Sequence, residues 1–188
     1  MRRITKAVLG GFAGCALVLG GTQVASGALS DTYKVTDALT DLLSNDGPFD
    51  SARAKTTIVK TPDGGTDFAL RVTGIDPSEV PDGGYGAHLH VNSCDNELGP
   101  GGHYRDKPEL GGIPENEVWF SLLPDEEGMA YTRTSASFVP VDVDGEMSIV
   151  IHVGPAAAGG DKQACFPLDV SGIFPTERSP SESRSPTE

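Results

Sequence analysis

From Ala52 onward the chain is written in short alternating stretches. "AKTTIVKT", "TDFALRVTGI", "YGAHLHVN", "EVWFSLL", "MAYTRTSASF", "MSIVIHV" and "CFPLDVSGIF" are rich in β-branched and aromatic residues and often set apolar against polar positions. Between them stand "PDGG", "DPSEVPDGG", "GPGG", "PDEEG", "DVDG" and "GPAAAGG". Short strands punctuated by Gly, Pro and Asp turns predict an all-β antiparallel sandwich or barrel. Upstream, "SDTYKVTDALTDLLSNDG" reads differently. Val35, Ala38, Leu39, Leu42 and Leu43 fall at helical spacing, with Ser30 or Asp31 as a cap and Gly47 as a stop. This predicts a short helical or irregular N-terminal segment over 29–46.

The two ends read as something other than fold. "MRRITK" is basic, "AVLGGFAGCALVLGG" is apolar but too short to remain as a membrane span, and Ser26 and Ala28 are the small residues a signal peptidase reads. Residues 1–28 are therefore expected to be a signal peptide, and the protein to be exported with no membrane span. Lipid anchoring through Cys15 fits less well: Phe12 stands where an aliphatic residue is usual, and the apolar run continues past the cysteine. The tail over 175–188, "PTERSPSESRSPTE", is Pro, Ser and charge with no apolar pattern, the composition of a disordered segment. One β domain, 47–174, lies between.

The net charge is −13, and removal of residues 1–28 would make it more negative, since Arg2, Arg3 and Lys6 leave with no acid. That argues against nucleic acid and anionic membranes as partners. Cys94 and Cys165 would remain. Two cysteines in an exported chain ordinarily pair, the alternative being two free buried thiols. P-loop, nucleophile-elbow and dinucleotide-binding signatures are missing, and "DVDG" and "PDEEG" lack full calcium-loop spacing. Trp119 reads as core.

The chemistry lies in four histidines. In a strand, residues i and i+2 share a face, so "HLH" sets His88 and His90 side by side while Leu89 points away. His103 follows the glycine-rich "GPGG", which can fold back toward that pair. His152 lies in "SIVIHV", sharing a face with Val150 opposite Ile149, Ile151 and Val153. Taken alone, His152 reads as a core histidine. Four convergent imidazoles without thiolate or carboxylate suit copper or zinc, and copper(II) in particular.

"GAHLH", "GGHY", "IVIHV" and "GGDKQAC" together resemble the copper/zinc superoxide dismutase family, over about Ala52 to Phe174. The resemblance implies a Greek-key β-sandwich, with His88, His90, His103 and His152 as metal ligands, His103 at the place that bridges copper and zinc, and Cys94–Cys165 as the disulfide. It implies superoxide as substrate, and leaves a homodimer open.

The chain departs from that pattern in three places. The family's zinc site needs further histidines after the bridging one, and "YRDKPELGGIPENEVWF" has none; Asp106, Glu109, Glu115 and Glu117 would make poor substitutes. The expectation is an exported, bacterial-type, copper-only member without zinc, with Glu117 holding the second nitrogen of His103 from outside the ligand set. Lys162 stands where the family has an anion-positioning arginine, keeping charge but not the planar fork of donors. The segment Val153 to Ala164 is short and nearly uncharged, so Lys162, and with it Arg105 or Lys107, would supply the local positive field. The leading reading is a copper-dependent superoxide dismutase, with His103 and Lys162 acting on substrate. Its rivals are a copper storage or transfer protein on the same fold, and a structural β-domain whose histidines are incidental.

Overall fold

The computed structural model describes residues 32–41, 47–141, 146–158 and 160–175. The expected signal peptide, Cys15, the caps Ser30 and Asp31, Leu42, Leu43 and the tail from 176 lie outside the described residues. What is described is an antiparallel β-sandwich with no α-helix among the described residues. Accordingly, no helix there is long and apolar enough to cross a membrane.

The strands are β1 (Thr32–Ala38), β2 (Thr40–Asp41), β3 (Arg53–Lys60), β4 (Thr66–Thr73), β5 (Tyr85–His90), β6 (Trp119–Leu122), β7 (Ala130–Ala136), β8 (Glu146–Val153) and β9 (Lys162–Asp169). One sheet runs β1-β3-β4-β7, the other β2-β9-β8-β5-β6. Each of the seven stretches read from Ala52 onward contributes one of β3 to β9. Their alternation holds: β3 and β4 bury Ala54, Thr56, Ile58, Phe68, Leu70 and Val72 and turn the residues between them outward. Phe68 meets Phe120 edge-on at 6.0 Å between ring centroids, so the two sheets close one core.

The N-terminal segment corrects the sequence reading. Its described residues, 32–41, form strands and no helix: β1 lies along β3 from Thr32↔Val59 to Ala38↔Arg53, and β2 pairs Thr40 with Cys165. The helical spacing of its apolar residues competes with Thr32, Tyr33, Val35 and Thr36, which suit a pleated surface. A short helix must satisfy its ends alone, whereas an open edge of β3 supplies partners for the whole segment. The β-domain therefore begins before residue 47.

The second sheet positions the site. β5 pairs β6 on one side and β8 on the other, in the rows Trp119–His88–Val150 and Ser121–Gly86–His152. Ala87 and Leu89 belong to the core cluster with Ile149 and Ile151, so His88, His90 and His152 share the sheet's outer face. β8 continues to β9 with Cys165 opposite Val150, and a register shift between Ile151 and His152 sets Lys162 opposite His152. The connection from β5 to β6 covers that face.

Candidate metal centre

The covering loop is tied at its start and its return. Val91 N donates to Gly102 O at 3.2 Å, and Tyr104 N to Leu89 O at 2.7 Å. A single bridge pairs His90 with His103. Cys94 and Cys165 are disulfide-bonded, joining the loop to β9. His103 is thus laid over the pair on β5, as its glycine-rich approach predicts.

All four imidazoles meet. Ring centroids stand 4.0 Å apart for His88–His103, 4.9 Å for His90–His103, 5.3 Å for His88–His152, and 5.4 Å for His90–His152 and His103–His152. His88 and His90 are 1% and 0% exposed, whereas the His103 side chain is 24% exposed and forms the open side of the cluster.

Each ring commits one nitrogen to an acceptor. His88 Nε2 donates to Ala156 O at 2.9 Å, His90 Nδ1 to Gly101 O at 3.0 Å, and His152 Nδ1 to Gly160 O at 2.8 Å. His103 Nδ1 donates to Glu117 Oε2 at 3.0 Å. A proton fixed at one nitrogen leaves a lone pair on the other, which is how outer partners set the tautomer of a ligand histidine. The nitrogens left over are Nδ1 of His88 and Nε2 of His90, His103 and His152. His90 Nε2 and His152 Nε2 face each other at 3.2 Å. His88 Nδ1 is buried with no hydrogen-bond partner. A buried acceptor without a donor is costly in an ordinary core, and a metal ion satisfies it. The donor set fits a metal.

Electrostatics agree. Burial, then the neighbouring imidazoles, pushes His88 down to about 4; burial pushes His90 down to about 3 and holds His152 below the usual value. These rings stay neutral, the state a ligand requires.

Glu117 stands beside this set. It is 3% exposed, and its carboxylate accepts from His103, from Trp119 Nε1 at 2.7 Å and from Arg105 Nε at 2.8 Å. Burial alone would raise its pKa; the donors Arg105, Trp119 and His103 outweigh burial and hold it below the usual carboxylate value. The donor atoms of His90, His103 and His152 lie within 4.8 Å of one another and form one group able to hold a metal; those of Glu117, His88 and His103 form another, and His88 meets the first group through its ring contacts with His103 and His152. The Arg105 guanidinium on the same carboxylate opposes a cation there, so the imidazole set is the better site. Asp106, Glu109 and Glu115 belong to neither group.

Lys162 Nζ donates to Gly101 O at 2.7 Å, the carbonyl that also orients His90. The lysine sits at the rim with its charge tied to the glycine-rich loop. Four participants escaped the sequence reading. Trp119 is half-buried against His88 and holds Glu117. Gly101, Ala156 and Gly160 contribute only carbonyls, which no side-chain pattern reveals. Trp119's place opposite His88 follows from strand register, which the sequence does not state.

No family model matches the chain, and no curated protein does. Among solved structures it is similar to one described as a crystal structure analysis of the clock protein EA4, at 16% identity and a TM-score of 0.48, over 73% of this chain and 92% of that chain. A likeness this distant carries no functional weight.

Proposed function

We propose that the chain is an exported copper-dependent superoxide dismutase, a copper-only relative of the copper/zinc enzymes, converting superoxide and protons to dioxygen and hydrogen peroxide. The observation that carries this reading is the convergence of four tautomer-fixed imidazoles with one orphaned buried nitrogen. Nitrogen-only donors favour copper over the hard cations, and the carboxylate nearest the cluster is already engaged. Bound copper would supply one-electron cycling between two oxidation states.

The protein's own part is positioning and protons. His88, His90 and His152 are fixed on two paired strands and hold their lone pairs in place. His103 is the ring on the open side; with Glu117 holding Nδ1–H, its Nε2, when not serving as a ligand, can take a proton from solvent and deliver it to a reduced oxygen species. Lys162 sets a positive charge beside the cluster in a strongly acidic chain, attracting an anion through local potential. A second reading is copper storage or transfer. It is favoured by the bond from Lys162 to Gly101 O, which leaves that ammonium less free to orient an anion.

Metal content and superoxide turnover per bound metal, measured on protein produced in an oxidising compartment, separate these readings. The dismutase reading expects about one copper per chain, no zinc, and both copper and turnover lost in His152→Ala. One copper with negligible turnover would establish the storage reading, and no metal would remove both.

A further inference from the structure

The outer face of the four-stranded sheet collects cations that the metal centre does not use. Residues sharing a row across β1, β3, β4 and β7 project to one side. One row is Lys34–Thr57–Ala69–Arg133; the next sets Lys55 opposite Arg71, which pairs Tyr131; the next is Ala38–Arg53–Thr73. Lys34, Arg53, Lys55, Arg71 and Arg133 are all exposed. On the outward rows of β3, β4 and β7 the only carboxylate is Asp67, at one end, where it accepts from the Ser135 hydroxyl.

Among the described residues, no ion pair includes any of these five cations. Arg71 donates to Met129 Sδ at 3.0 Å, and Arg133 donates to the Tyr131 hydroxyl and stands over its ring. Both partners are neutral. Lys55 directly opposite Arg71 is a like-charge pair, an arrangement that costs a sheet stability. In a chain of net charge −13, a face of concentrated positive charge is an exception in need of a use.

We propose that this face docks an extended anionic polysaccharide. The cations are spread over four strands, neighbouring strands being ~4.8 Å apart, with Lys34 and Arg133 on the two edge strands, rather than converging on a point. That spacing suits a polymer of repeated sulfates or carboxylates better than one small anion. Thr57, Val59, Ala69, Arg133 and Asp67 help line a hollow of ≈ 340 Å³ at the Asp67 end of this face, where Thr57 and Ala69 are small enough to let a chain lie close. The histidines occupy the outer face of the other sheet, so a docked polymer leaves them uncovered. The charge complementarity is local, since counterions screen the acidic remainder of the surface beyond roughly 8 Å at physiological salt.

Binding of the full chain to heparin, as a sulfated polysaccharide probe, tests this. If four charges engage, affinity should fall on the order of 50-fold between about 50 and 200 mM salt. The Lys55→Ser/Arg71→Ser double variant should lose at least roughly tenfold in affinity while its thermal midpoint stays level or rises, because the like-charge opposition is gone. Lys107→Ser, away from the face, should bind as the parent does. The proposal is overturned by no binding at about 50 mM salt, by parental affinity in the double variant, or by an equal loss in Lys107→Ser. Binding to anionic phospholipid vesicles but not to heparin would overturn it too.

Discussion

At the scale of the residue, a histidine is defined by which of its two nitrogens carries the proton. Three rings are set by main-chain carbonyls; His103 depends on a carboxylate that also receives Arg105 and Trp119. Glu117 Oε2 takes two donors and Oε1 takes one. Glutamine has a single acceptor oxygen, so Glu117→Gln must strand at least one donor. Metal affinity is expected to fall roughly 10- to 100-fold, and a proton resonance at His103 Nδ1 to be lost. Unchanged affinity would return Glu117 to a packing role. Tyr85 shows the same logic away from the site. Burial first, then Glu79 and Asp76, pushes its phenol up to about 12, and its hydroxyl donates to Glu79 O at 3.0 Å. The folded state favours the neutral phenol. That stabilisation is complete below the ordinary value near pH 10 and is lost as pH rises toward about 12. Absorbance titration should find Tyr85 ionising late, and Tyr85→Phe should delete its step. A parental titration with every tyrosine ionising near pH 10 would contradict it.

At the scale of the element, β5 carries the site because it is buried on both faces. Ala87 and Leu89 face the core, and His88 and His90 face the covering loop. Gly86, between Tyr85 and Ala87, is required by close approach. A Cβ there would run into the backbone of Ala156 and Pro155, and the Ala156 carbonyl holds His88 Nε2–H. Gly86→Ala is therefore expected to cost about 1–3 kcal/mol through overpacking, and to weaken metal binding by moving that carbonyl. Thermal unfolding of the metal-free protein reads the first effect and copper competition the second; a variant matching the parent in both would show that this segment gives way freely. The N-terminal strands teach the opposite lesson. Their helical spacing was legible and wrong, because the partner that decides between helix and strand is β3, more than ten residues further on.

At the scale of the whole molecule, the sandwich separates its chemistry by face. One outer surface holds the histidines beneath a loop joined by disulfide to β9; the other presents the cations proposed to dock a polyanion. Cys94 and Cys165 are separated by 71 positions, so their bond removes a large loop from the unfolded ensemble, typically ~2–4 kcal/mol of stabilisation. It also places the constraint where the covering loop leaves β5. The disulfide accords with an oxidising compartment.

The sequence by itself determined what alternation and turn chemistry determine: strands β3 to β9, the shared face of His88 and His90, and the cysteines available to pair. These are local, because a strand's period of two fixes the direction of each side chain without reference to a partner. The tertiary structure decided the rest. It chose strand over helix at the N-terminus, set Trp119 and His152 in rows beside β5, and brought the carbonyls of Gly101, Ala156 and Gly160 to the imidazoles. It also gathered scattered lysines and arginines onto one face. Each of these depends on register between distant strands or on main-chain atoms common to every residue, and neither leaves a mark in the order of side chains.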